Sequence, residues 1–210
     1  MNISVATFYD GNYSELGGYT SLNKKKYCDK HGYSFINRKE SYLKYNRPSS
    51  WAKLSVIVEE FKKNVDWVLW TDADSVFTNF ETKIESYIDN NFHLIFAVEG
   101  LYESRYFWPS GCVFLAKNSP ETIKFLKYVW NQPPEIINHC WWEQLGIIKT
   151  INENPDIRSY YKILPHNTLY SQKERWQKKD FIFHVAGGQK DGKLNVIREN
   201  EYKWKEIYAD

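Results

Sequence analysis

Two aspartates one residue apart, Asp72 and Asp74, end the apolar run WVLWTDADSVF at positions 67–77. An ionised carboxylate is costly to bury unless something pairs with it. The run therefore predicts a buried strand whose end delivers both acids to a cavity or a cation. In an extended turn residues i and i+2 point the same way. Asp72 and Asp74 are then expected to share one bound cation or to divide the labour around it. Carboxylate oxygens suit hard cations such as Mn²⁺ and Mg²⁺ rather than zinc. Two carboxylates leave most of an octahedral shell to phosphate oxygens and water, which is how a metal-diphosphate is held. The plainer alternative is an Asp-rich turn that caps the next element.

A second group lies near the far end, in FHVAGGQKDGK at 183–193, where His184, Gly187 and Lys190 follow the pattern HxxGxxK. Imidazole is an acceptable ligand for Mn²⁺. Gly187 and Gly188 let a backbone approach a phosphate closely, and Lys190 adds positive charge. Alone the pattern is weak, since a satisfied histidine beside a glycine turn is commonplace.

These groups need elements to bring them together. Alternation predicts a strand over 3–9 ending in DGN, a helix over 13–31 stopped by Gly32, and a strand over 33–37. A helix over 51–63 is predicted from Leu54, Ile57, Val58 and Phe61, with Ser49 or Ser50 as its cap. After the strand at Trp67 come a helix over 81–88 and strands over 93–98 and 112–116. A helix opened by Ser119-Pro120-Glu121 runs to Trp130. A helix over 140–151 and strands over 160–164 and 181–184 complete the series. Strands alternating with helices imply an α/β chain with a central, mostly parallel sheet flanked by helices. Ligands bind such sheets beyond the carboxyl ends of the strands. Tyr9-Asp10, Asp72-Ala73-Asp74 and His184 all fall at strand ends and could converge on one cleft.

The 210 residues suit one domain, and 42% hydrophobic with 26% charged residues is ordinary for a globular protein. The aromatic share, 18% with nine Trp and sixteen Tyr, is high; it suits stacking on sugars or an aromatic core. A net charge of +2 gives no global attraction to nucleic acid or membrane. The basic clusters at Lys24-Lys25-Lys26 and 173–179 read as solvated faces. Cys28, Cys112 and Cys140 form no CxxC pair and read as buried reduced thiols. The start MNISVATFYDGNY lacks a signal-peptide pattern, and no apolar run approaches the ~18 residues that span a bilayer. The expectation is a soluble cytoplasmic protein, or a soluble domain of a larger multidomain chain.

The sequence resembles nucleotide-sugar-dependent glycosyltransferases of the GT-A type. WAKLSVIVEEF followed by DWVLWTDADSVFTN is similar to the galactosyl- and xylosyltransferase family of fungi and plants. HGYSF before it, then GCVFLAKNS, WWEQ and the late HxxG, occur in matching order. The similarity runs from about Ile3 to Lys190 and is closest at the DxD. A soluble glycosyltransferase domain of a large algal virus fits the compact chain better than an anchored Golgi enzyme, and places it in host cytoplasm. The resemblance implies one GT-A (Rossmann-like) domain over 1–210, nucleotide-binding to about 116 and acceptor-binding or catalytic from about 117. It implies a UDP-sugar donor, an oligosaccharide or glycoprotein acceptor, and a Mn²⁺ or Mg²⁺ cofactor. Thr7 and Tyr9 would meet uracil and ribose, Lys53 and Ala73 would lie against the nucleotide-sugar, and Asp72 would contact the ribose or a metal-bound water. Asp72, Asp74 and His184 would ligate the ion, and Gly187 and Lys190 would hold the diphosphate.

The family retains configuration, which implies a polar group under the sugar, Glu143 or Gln144 of CWWEQ. A glutamate at a helix start also simply complements the dipole. Glu99 is a second candidate acid, and Tyr102, Arg105, Tyr106, Phe107 and Trp108 form a candidate acceptor platform. Two other readings compete. The run LWTDADSV also fits the phosphatase signature hhhDxDx[TV], with Asp72 as nucleophile, although two strands precede it and a later acidic pair is missing. A non-catalytic sugar-binding module would use the aromatics but leaves HxxGxxK unexplained.

Overall fold

In the computed structural model, residues 1–39, 47–99, 108–187 and 190–205 are described, the side chains of 190 and 191 apart. Six strands form the main sheet: β1 (Ile3–Tyr9), β2 (Ser34–Lys39), β3 (Trp67–Thr71), β5 (Leu94–Glu99), β6 (Trp108–Lys117) and β7 (Tyr161–Leu164), in the order β2-β1-β3-β6-β5-β7. Five run the same way, and β6 is antiparallel to both neighbours, β3 and β5. This is the mostly parallel sheet expected.

Alternating side chains build a core on each face. Val68, Trp70, Phe96 and Phe114 point to α2 (Ala52–Phe61), α3 (Pro120–Trp130) and α5 (Trp142–Glu153). Trp67, Leu69, Ile95 and Leu115 point to the other face, where Tyr27 and Cys28 of α1 (Ser14–His31) close the layer. Both faces are buried, so β3 is apolar throughout rather than alternating.

A second, three-stranded sheet positions the chemistry. The short strand β4 (Ser75–Phe77) begins right after the DxD turn and pairs antiparallel with β9 (Ile182–His184), which pairs parallel with β8 (Ser171–Gln172). Its register sets Ser75 opposite His184. Helices α4 (Pro134–Ile137), α6 (Lys190–Asn200) and α7 (Tyr202–Lys205) complete the elements.

Several expectations need correction. The helix over 81–88 is only a short 3-10 turn, Ile84–Tyr87, because the backbone is extended at Lys83 before it and at Ile88 after it. The strands β4 and β8 and the helix α6 go unpredicted. Lys24 is not part of a solvated face: it is fully buried. Cys140 is exposed, unlike Cys28. Tyr102, Arg105, Tyr106 and Phe107 lie outside the described residues.

Candidate functional site

The DxD forms a tight turn in which Ser75 N–H and Oγ–H both donate to the Asp72 carbonyl, at 3.2 and 2.7 Å. The turn sends the two carboxylates to different partners instead of aligning them as an extended segment would.

Asp72 continues the β3 face of Val68 and Trp70. Its Oδ1 accepts from the Trp70 indole at 2.7 Å and meets Lys53 Nζ at 3.1 Å. Lys53 projects from α2, is 2% exposed, and also reaches Glu143 Oε1 at 2.5 Å and the Gly111 carbonyl at 2.8 Å. Burial alone would strip its charge, but Asp72 and Glu143 reverse that and hold the ammonium protonated. Burial raises the Glu143 carboxyl above its usual range, with Lys53 pulling it back. Glu143 Oε2 makes no hydrogen bond by distance and angle, although the Ser50 hydroxyl lies close enough to favour its charge.

Asp74 faces the second sheet. Its Oδ1 lies 3.2 Å from His184 Nε2 and its Oδ2 2.5 Å from Lys193 Nζ. The Asp74 carbonyl accepts from Val185 N–H at 3.1 Å, fastening the turn to β9. Burial disfavours the Asp74 anion, yet His184 and Lys193 hold the carboxyl well below its usual range. Asp74 in turn outweighs burial at His184 and raises the imidazole. The His184 Nδ1 atom is buried without a hydrogen-bond partner. One ligand atom each from Asp72, Cys112 and His184 lies within 4.8 Å of the others. Burial pushes the Cys112 thiol up, aided by Glu99 and Asp72, and it faces the Glu99 carboxylate at 3.8 Å.

Behind the turn, Lys24 of α1 donates to the Asp72 carbonyl at 2.8 Å and lies 3.4 Å from Thr7 Oγ1 and 3.5 Å from Thr20 Oγ1. Thr20 donates to the Ala73 carbonyl at 2.6 Å. Together α1 fixes both carbonyls of the turn. Burial lowers the Lys24 ammonium to about 7, opposed by Asp74 and Asp72.

The remaining predicted residues are placed as follows. Thr7 is fully buried with its hydroxyl on Lys24. Tyr9, 6% exposed, lies against Gly17, where an added Cβ would come within 2.2 Å of the ring; only glycine permits that approach. Gln144 is tied to β6 at both ends of its amide, accepting from Gly111 N–H and donating to the Pro109 carbonyl at 2.6 Å. Gly187 is exposed in the left-handed region, φ +64. Lys190 opens α6, and its side chain lies outside the described set.

Sequence reasoning missed Lys193 and Lys24. HxxGxxK stops at Lys190, one helical turn short of the lysine that meets Asp74. Lys24 was legible in spacing, since Thr20, Lys24, Tyr27 and Cys28 share one helical face and all are buried.

The donor set fits a divalent cation. Asp74 Oδ1 and His184 Nε2 form an ion pair 3.2 Å apart, close to the separation of about 3 Å between two cis ligands held about 2.1 Å from a small ion. One carboxylate and one imidazole suit Mn²⁺. An open depression of about 520 Å³ over the start of α3, lined by Asn118, Ser119 and Lys124, lies beside the Asp66–Asn118 backbone bond, at the opposite end of β3 from Asp72, and has no part in this chemistry.

Residues 9–95 match the galactosyl transferase GMA12/MNN10 family. Galactomannan galactosyltransferase 1 of Cyamopsis tetragonoloba is 31% identical over 171 residues, 76% of this chain and 38% of that protein. An uncharacterised alpha-1,2-galactosyltransferase of Schizosaccharomyces pombe is 25% identical, over 82% of this chain and 63% of its own. The chain thus spans less than two thirds of either relative's length. In fold it is similar to the crystal structure of a glycosyltransferase involved in glycosylating the major capsid of PBCV-1, with a TM-score of 0.77 and 21% identity over 95% of this chain and all of that one. Among the described residues no helix is long and apolar enough to cross a membrane. Over residues 9–95 the chain is thus similar to the galactosyl transferase GMA12/MNN10 family, and its α/β fold is that of a solved glycosyltransferase.

Proposed function

We propose that the protein transfers a hexosyl or deoxyhexosyl group from a UDP-sugar to a sugar acceptor, with Mn²⁺ (or Mg²⁺) as cofactor and retention of configuration. The observation that carries the reading is the 3.2 Å approach of His184 Nε2 to Asp74 Oδ1, made by residues far apart in sequence. Asp74 and His184 would hold the ion, with the Asp72 carboxylate on its flank. Bound there, the cation would supply Lewis-acid stabilisation of charge developing on the departing diphosphate.

The chain's own groups do the rest. Lys193 neutralises Asp74, and its ammonium would add positive charge for a diphosphate beside a bound ion. Lys53 fixes Asp72 and Glu143 in one rigid group, so Glu143 is the acid we assign beneath the donor sugar. Gln144 serves by clamping β6 beside it. The phosphatase alternative is disfavoured because two strands of the sheet, β1 and β2, precede the one that carries the DxD.

Thermal shift tests the reading. UDP with Mn²⁺ is expected to raise the melting temperature, by about 2.7 kcal/mol of stabilisation at a hundredfold excess over Kd. The gain is expected to vanish in Asp74→Ala and with chelator. UDP-galactose is the first donor to assay for slow hydrolysis, given the galactosyltransferase relatives. Equal stabilisation in Asp74→Ala would refute the assignment, and brisk Mg²⁺-dependent turnover of p-nitrophenyl phosphate would favour the phosphatase.

A further inference from the structure

The turn between α4 and α5 presents two neighbouring indoles to solvent, Trp141 at 47% and Trp142 at 49% exposure. The other exposed large apolar side chains among the described residues, Met1, Leu22 and Tyr202, belong to other elements. Trp108, at the start of β6, lies with its ring 5.6 Å from Trp141 at an angle of 49°. Two indoles set at that angle form a corner rather than a stack, and the exposed Trp141 and Trp142 carry its solvent side.

The backbone is strained to make this corner. Trp142 adopts φ +45, in the left-handed region that bulky residues avoid. Burial does not repay that cost, since the ring is half exposed, and strain of this kind collects at functional positions. His139 is part of the same corner: its ring edge is 5.8 Å from Trp141, and its Nδ1 accepts from the Trp141 N–H at 3.1 Å. That bond makes Nε2–H the donor of the neutral imidazole.

The corner is continuous with the candidate site. Gln144 bonds the Pro109 carbonyl and Gly111 N–H, so it locks the strand carrying Trp108 to the helix that follows Trp141. The Gly111 carbonyl accepts from Lys53, the ammonium that pairs with Asp72 and Glu143.

From these observations we infer that the exposed indoles Trp141 and Trp142, at the corner buttressed by Trp108, form the seat of an acceptor pyranose next to the donor site. The inference deepens the glycosyltransferase reading and rests on it. A pyranose has a C–H face that stacks on indole and a hydroxyl rim that takes donors such as the His139 Nε2–H. A protein partner is a poorer occupant: it needs about 800 Å² a side, and two half-exposed indoles of about 150–250 Å² each supply less than half of that.

The test measures binding of mannotetraose, cellotetraose, xylotetraose and galactotetraose to the full chain by saturation-transfer NMR, without donor. The wild type is expected to bind at least one of the four. Trp141→Ala is expected to weaken that binding about tenfold or more, while Trp141→Phe, which keeps an aromatic face, stays within about threefold. Melting temperatures without ligand separate loss of the corner from loss of the fold. No binding of any of the four by the wild type, or equal binding by Trp141→Ala, overturns the inference. UDP–Mn²⁺ stabilisation of the wild type reports separately on the donor reading, so either can fail alone.

Discussion

Asp72 is approached from both faces of the sheet by a buried lysine, and the two lysines have opposite fates. Lys53, from α2, meets two carboxylates and a carbonyl; Lys24, from α1, meets a carbonyl and two hydroxyls. Both are almost wholly withdrawn from water. Burial penalises each ammonium, but Asp72 and Glu143 in direct contact more than offset it at Lys53. At Lys24 the carboxylates of Asp74 and Asp72 act only from a distance, and its pKa falls to about 7. The neighbouring acids, rather than depth, therefore decide which lysine is a fixed charge. The α2 side of the turn is an ionic joint, and the α1 side is a hydrogen-bonded support for its carbonyls.

The largest expected effect tests the joint. Lys53→Met leaves Asp72 and Glu143 facing each other without a cation, and breaking a buried pair from one side costs about 3–5 kcal/mol. Urea denaturation measures it, and a loss below about 1 kcal/mol would erase the contrast. The next effect is one of pH. Between about pH 7 and the ordinary lysine value of 10.5 the unfolded chain holds a proton at Lys24 that the folded chain has released. Stability therefore climbs with pH across that window, while below about pH 7 both states are protonated and the burial penalty is fully present. With chelator present, the stability difference between wild type and Lys24→Met should rise from pH 7 to pH 10; a flat difference means that Lys24 keeps its charge. The smallest effect is that of Lys24→Met at neutral pH. The Asp72 carbonyl keeps both Ser75 donors, so the change is expected within about 1 kcal/mol of zero. A loss above about 3 kcal/mol would make Lys24 a second ionic joint.

The sequence carried the main sheet well because its strands are buried on both sides and read as continuous apolar runs, as in Trp67 to Thr71. It did not carry the direction of β6, since an antiparallel central strand buried on both faces has the same composition as a parallel one. The acids and the imidazole were visible because DxD and HxxG are short local patterns. Their partners were harder to see: Lys193 sits in α6, whose opening KDGK reads as a turn, and Lys24 stands in a run of three lysines where only its spacing from Thr20, Tyr27 and Cys28 marks it as buried. Gln144 was a candidate through the family resemblance, and the bonds from both ends of its amide to the β6 backbone are seen only in the folded chain.

The pairing of β4 with β9 has a consequence for biosynthesis. The last strand of the six-stranded sheet ends at Leu164, whereas His184 and Lys193 come later. On the ribosome, every strand of that sheet is therefore translated before the imidazole and ammonium that clasp Asp74. The order of synthesis is thus scaffold first and grip afterwards.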